Sequence, residues 1–315
     1  MQLPGPAYRE YDYILAGGGM AGLSFAYYLS QSSLSTKRIL LIDRGVRKEQ
    51  TFCYWSDEAF EFDFLAEKSW DSLHFHSARP SSSQFSIAPY TYRKIKGKEW
   101  FAHVEAELIK SPHIHYLQAE IQSINYQGLG SCVQTSAGSF YASEKIIDSF
   151  SPFPCDHTNP KHLKQHFLGW EVECNFNNFE TDAAHLFDFR VAFGKECEFM
   201  YVLPTSPRKA LFEYTFFSGT LREPDYYRDK IKSYLFAYYG LSEDDYLLKE
   251  EESGIIPMRN SVNKPANLHQ KHLKIGTSGG FVKSTTGYSF YRTQKFCQNL
   301  VAALEKGPST RSEEH

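Results

Sequence analysis

The chain has no Cys-x-x-Cys pair. Its six cysteines, at positions 53, 132, 155, 174, 197 and 297, are scattered. That spacing argues against a zinc knuckle and does not look like a disulfide framework. No basic stripe is present; net charge is −3 and the isoelectric point about 6.5. A nucleic-acid partner is therefore not expected. The first five residues lack a basic stretch followed by an apolar one. No secretory signal is expected, and a reducing cytoplasm is the expected compartment. Residues 13–29 carry no charge, but 17 residues with four glycines are at the short limit for spanning a bilayer. No internal repeat is evident. What the chain has in abundance is rings, with 25 Phe and 21 Tyr. Most must fill the core. A long apolar pocket lined by rings is the functional alternative, and composition does not choose between them.

One segment departs from this even background. Asp12-Tyr13-Ile14-Leu15-Ala16-Gly17-Gly18-Gly19-Met20-Ala21-Gly22 carries Gly-x-Gly-x-x-Gly at 17, 19 and 22. A short apolar run precedes it and a helical pattern follows. Asp43 ends the next apolar run, 21 residues after Gly22. Strand, turn, helix, strand and acid in that order describe a dinucleotide site. Gly17 permits the tight turn, Gly19 lets the backbone approach a pyrophosphate, and Gly22 lets helix and strand pack closely. Gly18, Met20 and Ala21 complete the loop, whose free N–H groups and helix dipole attract the pyrophosphate. Asp43, with Arg44 beside it, is placed to meet the adenosine ribose.

Further along, residues 11–16 read as a strand, 20–31 as a helix and 38–43 as a buried parallel strand. Residues 51–75 look aromatic and irregular. Residues 97–110 have helical spacing, ended by Ser111-Pro112. Residues 114–124 and 132–141 alternate, the latter with a turn at Ala137-Gly138, and 145–149 read as a separate buried strand. Residues 165–217 are strand-rich, with strands over 167–173, 186–191, 199–203 and 209–217. Residues 224–239 form a helix closed by Gly240. The acidic runs at 243–245 and 250–252 read as solvated surface. Lys274-Ile275-Gly276-Thr277-Ser278-Gly279-Gly280 is a second strand-to-glycine turn. Thr285-Thr286-Gly287-Tyr288 and a last helix follow it.

The expected fold class is α/β. A Rossmann-type dinucleotide-binding domain (1–75, 96–155 and 263–306) encloses an antiparallel, β-rich substrate domain (76–95 and 156–262), and 307–315 is a tail. A nicotinamide dehydrogenase more often continues into a second mononucleotide unit. The layout therefore suits FAD better than NAD, although the motif itself does not separate them.

Several segments, in order, resemble the lycopene cyclase family, most of all its bacterial flavoprotein branch. They are Thr51-Phe52-Cys53-Tyr54-Trp55, Tyr90-Thr91-Tyr92, His166-Phe167-Leu168-Gly169-Trp170-Glu171 and Phe187-Asp188-Phe189-Arg190-Val191. Then come Tyr201-Val202-Leu203-Pro204, Ala210-Leu211-Phe212-Glu213-Tyr214-Thr215, Gly254-Ile255-Ile256-Pro257-Met258 and the Gly276 to Gly280 turn with Thr286-Gly287-Tyr288. The resemblance covers residues 11–304. It implies the fold of the flavoprotein hydroxylases and geranylgeranyl reductases, and closure of lycopene ends to β-rings. It implies FAD in its reduced form, NAD(P)H only as reductant, and no net electron transfer. Peripheral contact with the cytoplasmic membrane would follow from such a substrate. Two departures stand out. Tyr214 replaces the second acid of plant members. The chain also stops at Arg311-Ser312-Glu313-Glu314-His315, where members continue, so a truncated or divergent copy is expected. A redox FAD enzyme (monooxygenase or polyprenyl reductase) and a non-catalytic flavin- or carotenoid-binding remnant stay open.

Glu213 stands in a strand amid aromatic residues. Desolvation there would raise its pKa and let it hold a proton for a terminal olefin. By pattern alone, a water-facing strand residue is as good a reading; the motif match favours the acid. Asp188 matches a family acid and could orient Glu213 or stabilise a cation, but an ion pair with Arg190 is equally open. Gly276, Gly279, Gly280, Thr286 and Gly287 would face the flavin, with a helix N-terminus favouring negative charge on its ring. Asp148 ends a strand, a weak flavin signal. His74 and His76, like His113 and His115, are two residues apart, but no third ligand is evident and no metal is expected.

Overall fold

A computed structural model describes residues 3–79, 81–125, 131–152, 163–191, 196–258 and 270–307. The first part of the chain forms β1 (Glu10–Ala16), α1 (Met20–Ser30), β2 (Ile39–Asp43), β3 (Thr51–Ser56), β4 (Ala66–Trp70), β5 (Ser72–His76) and β6 (Ser82–Ser86). It continues with β7 (Thr91–Lys96), α2 (Gly97–Leu108), β8 (Ile114–Gln118), β9 (Ile121–Asn125), β10 (Ser131–Thr135) and β11 (Gly138–Asp148). The second part forms β12 (Lys164–Cys174), β13 (Ala184–Asp188), β14 (Cys197–Ser206), β15 (Lys209–Ser218), α3 (Pro224–Tyr239), β16 (Tyr246–Pro257), β17 (His272–Lys274) and α4 (Phe290–Lys306).

Among the described residues these strands form three sheets. In the first, β8, β2, β1 and β11 run parallel, and β17 joins the C-terminal half of β11. The other half of β11 pairs antiparallel with β10, which continues to β9. Ile39, Leu40, Leu41 and Ile42 are all fully buried, as a strand covered on both faces requires. On one face Leu15 and Leu41 pack with Phe25 of α1, Val104 of α2 and Leu300 of α4. On the other, Ile14 and Leu40 meet Val133 and Phe140.

The second sheet has the order β16-β12-β15-β14-β13-β5-β6. One face carries α3, whose Tyr227, Ile231 and Tyr234 pack on Met200, Phe212 and Tyr214. Pro224 begins α3, where its missing N–H costs nothing, and Gly240 ends it at φ 66°. Because side chains alternate along a strand, Glu213 and Tyr201 face the opposite way from Phe212 and Met200. The third sheet, β3-β7-β4, lies between the other two. Its alternation serves both cores: Phe52 and Tyr54 join the α1–α4 side, whereas Cys53, Trp55 and Tyr92 join Trp70, Leu211 and Tyr201.

Several expectations need correction. Residues 51–75 hold three regular strands. Residues 145–148 belong to β11 rather than to a strand of their own. The strand expected over 186–191 ends at Asp188, after which Phe189–Val191 is a 3-10 turn. The second sheet takes β5 from Ser72, ahead of the expected boundary at 76, and β7 pairs with β3 and β4 instead. Among the described residues, no helix is long and apolar enough to cross a membrane.

Candidate functional site

The glycine loop after β1 is held by contacts that only glycine allows. Gly17 has φ 105°, and a Cβ there would meet Ser149 Oγ at 2.5 Å. A Cβ on Gly22 would lie 2.0 Å from the Gly17 carbonyl oxygen, so α1 could not close on β1. Gly18 N–H donates to Asp43 Oδ2 at 2.8 Å, and Gly45 N–H to Oδ1 at 2.7 Å. Asp43 therefore ties the loop to β2. Gly19 is different. It has ordinary φ, −73°, and a Cβ there would meet nothing within 4 Å. No side chain caps α1, so its first N–H groups stay open. Gly19 thus borders free space, which is what a backbone approached by a ligand needs.

Two cavities meet at that glycine. A smaller one, about 220 Å3, is lined by Gly17, Gly19, Asp43, Arg44, Ile121 and Phe150 among others. The larger, about 410 Å3, runs from Gly19, Met20 and Ala21 past Gly276, Thr277, Thr286 and Gly287 to Glu213 and Glu252. Ser289 and Phe290, at the N-terminus of α4, also line it. The residues expected at the second glycine turn thus divide. Gly276, Thr286 and Gly287 reach the cavity. Gly279 and Gly280 do not line it and instead make the turn: a Cβ on Gly279 would lie 2.6 Å from the Lys274 carbonyl, and Gly280 has φ 78°. Asp148 is buried under the loop, accepting from the Ser151 amide at 2.8 Å and His272 at 2.9 Å.

Glu213 projects from β15 into the larger cavity, and a second carboxylate stands beside it. Gly169 of β12 is opposite Glu213 on one side and Glu252 of β16 on the other. With no side chain at 169, the two acids face each other over bare backbone. A Cβ there would touch both, at 3.4 Å from Glu213 Cβ and 3.4 Å from Glu252 Cγ. Burial, and then the charge of Glu252, push the Glu213 pKa well above the ordinary carboxylate range, although Thr215 Oγ1 donates to it at 2.9 Å. Burial also raises Glu252, against the opposing effects of Thr51 and the nearby Lys94. Two such groups cannot both ionise cheaply, so the pair retains a proton near neutrality. Around it stand Tyr92, Tyr201 and Tyr288, with Tyr92 and Tyr288 hydroxyls 3.0 Å apart. Glu252 was missed as surface. Of its neighbours, Glu251 points to the α3 side and pairs with Arg228, whereas Glu250 shares the face of Glu252 and is neutralised by Lys96 and Lys98.

Asp188 is not beside Glu213. It pairs in register with Met200, which faces α3. There Arg190 Nε donates to it at 2.9 Å and Tyr234 OH at 2.5 Å. The ion-pair reading of Asp188 is the one the structure supports, and a role in orienting Glu213 is withdrawn. Burial alone would raise its pKa, but Arg190 and Tyr234 outweigh that and hold it low. Its stabilising contribution is therefore present above the unfolded carboxylate pKa and lost as pH falls through the lowered folded value. Asp188→Ala removes the acceptor of the half-buried Arg190 and of the buried Tyr234 hydroxyl and is expected to cost about 1–3 kcal/mol. Denaturant melts should show that loss, with unchanged turnover per folded molecule; lost turnover in a folded variant would restore Asp188 to the site.

The fold is shared with flavoenzymes. A geranylgeranyl bacteriochlorophyll reductase-like protein from Thermoplasma acidophilum superposes with TM-score 0.70 at 11% identity, over 95% of this chain and 79% of that one. The p-nitrophenol 4-monooxygenase PnpA from Pseudomonas putida gives 0.65 at 12%, over 96% and 83%. The halogenase PltM, in complex with phloroglucinol and FAD, gives 0.61 at 14%, over 93% and 69%. No curated protein sequence matches the chain. Residues 12–315, however, match the family described as lycopene cyclase protein, and they include both glycine turns and Glu213. The chain belongs to the lycopene cyclase family.

Proposed function

We propose that this protein binds FAD and closes the ends of linear lycopene into β-rings by proton transfer, without net oxidation. The observation that carries this reading is that Glu213 and the loop ends at Gly19 and Gly276 line one cavity. The residues present suit FAD. The smaller cavity beside Asp43 and Arg44 suits the adenosine half, the uncapped start of α1 the pyrophosphate, and Gly276 to Gly287 the ring system. When bound in reduced form, with NAD(P)H as its reductant, FAD supplies negative charge beside a developing carbocation.

The chain's own residues then divide the proton work. Glu213, protonated, donates to the terminal double bond of lycopene. The ring bond forms as positive charge develops on the neighbouring carbon. Tyr92, Tyr201, Tyr288 and Phe290 offer ring faces to that charge. Glu252, ionised, accepts the proton lost from the new ring. The proton gained equals the proton lost, so the hydrocarbon formula is conserved. Phe167 and Ile256 line the cavity beside the acid pair, which gives a carotenoid an apolar wall, and peripheral membrane contact would follow from such a substrate.

Expression in lycopene-accumulating cells tests the reading: pigment extracts should contain β-ringed products, and unchanged lycopene from a folded, flavin-loaded protein would contradict it. Glu252→Gln tests the division of labour. It removes the proposed base and one source of the raised Glu213 pKa. Turnover should fall by about 10²–10⁴-fold, and the residual activity should decline at lower pH than in the wild type. A stability effect accompanies it. Both folded pKa values exceed the unfolded ones, so the wild type loses stability as pH rises between them. Glu252→Gln should blunt that loss. Wild-type kinetics in this variant would remove Glu252 from the mechanism.

A further inference from the structure

Three histidines come together on the α3 side of the second sheet, away from the cavity. His74 and His76 share a face of β5. His185 of β13 is opposite His74 in register, and Asp188 is opposite His76. A nitrogen of each ring lies within 4.8 Å of the other two. His76 Nε2 and His185 Nδ1 are 3.2 Å apart. Ligands 2.0–2.1 Å from a tetrahedral zinc ion are separated by about 3.3 Å, so this pair is already at ligand spacing. The three rings stack, with the His74 and His185 centroids 4.7 Å apart, so an ion would have to turn their planes to bring all three nitrogens onto it.

Two further observations favour a ligand. His76 is 7% exposed, and His74 Nδ1 is a buried polar atom with no hydrogen-bond partner among the described residues. Such orphaned atoms are costly in a finished core. Two carboxylates stand near the rings, although the Asp188 charge is shared with Arg190. Asp188 lies on the same face, and Asp182, held by Gln84 at 3.0 Å, acts electrostatically on His74 and His185 from the exposed side.

We propose that His74, His76 and His185 form a binding site for a divalent transition metal of the zinc type. Three imidazoles leave a fourth position for water or a carboxylate. The ion clamps β5 to β13, the parallel pair of an otherwise antiparallel sheet. Since the ligands face away from Glu213, the role is structural and independent of the cyclisation chemistry.

The test uses the full, untagged chain, stripped with chelator and dialysed against zinc chloride. Metal analysis should find one zinc per chain, and zinc should raise the melting temperature. Removing even an outer partner of a metal ligand costs about 10–100-fold in affinity, so His74→Gln and His185→Gln should each weaken binding by at least about 100-fold. Cobalt added to the unmodified chain keeps the test independent of how those variants fold. Visible bands of a nitrogen-ligated ion, without thiolate charge transfer, are expected. Zinc well below one equivalent in folded protein would overturn the proposal. So would thiolate bands from the free cysteines, or binding that survives both substitutions.

Discussion

Glu213→Gln is expected to keep the flavin and lose the chemistry. The amide fills the same space in β15 and can still accept from Thr215, so neither the sheet nor the glycine loops are disturbed. What disappears is the proton. A positioned general acid contributes about 10²–10⁴-fold, and turnover should fall by that amount while flavin content per chain stays at the wild-type level. The pH profile of the wild type carries the same information. Glu213 must be protonated to act, and burial beside Glu252 raises its pKa. Activity should therefore decline as pH rises through that raised value, not at the ordinary carboxylate range. A Gln variant that turned over normally would mean that another group supplies the proton.

Gly19→Val should do the reverse, losing the flavin while keeping the fold. Its φ of −73° suits any residue, and nothing lies within 4 Å of a Cβ there. Valine is a poorer N-cap than glycine, which costs about 1 kcal/mol at most. The added side chain enters the space where the two cavities meet, and co-purified flavin should drop to background with little change in melting temperature. Gly22→Ala makes the contrast, because its Cβ would lie 2.0 Å from the Gly17 carbonyl and should disrupt folding itself. Full flavin content in Gly19→Val would place the pyrophosphate elsewhere.

The parts of this protein that were legible in its sequence are those set by local rules. The 12–43 segment is contiguous, with Gly17 turning at φ 105°, Gly22 packed on the Gly17 carbonyl and Gly18 tied to Asp43. The helix over 224–239 carries its own start and stop in Pro224 and Gly240. What stayed hidden depends on register between distant strands. Glu252 sits in a run of acids whose neighbours are each paired with a lysine or arginine, and only the β12–β16 alignment sets it unpaired beside Glu213 across Gly169. His185 joins His76 from 109 residues away. The face that Asp188 takes was not readable, because strand parity fails there. Residues three apart point to opposite faces in a regular strand, yet the register shifts between His185 and Asp188, where Phe187 has φ 62°, and both lie on the α3 side.

The central claim is that a flavoenzyme fold here moves protons and leaves the electron count unchanged. An anaerobic single-turnover experiment tests it most directly. The enzyme is prereduced and mixed with lycopene, and flavin absorbance is followed alongside the pigments. The account predicts a cyclised product of unchanged mass, formed while the flavin stays reduced, and no product from oxidised enzyme. One flavin oxidised per product, with a mass gain of two hydrogens, would contradict it and identify a reductase.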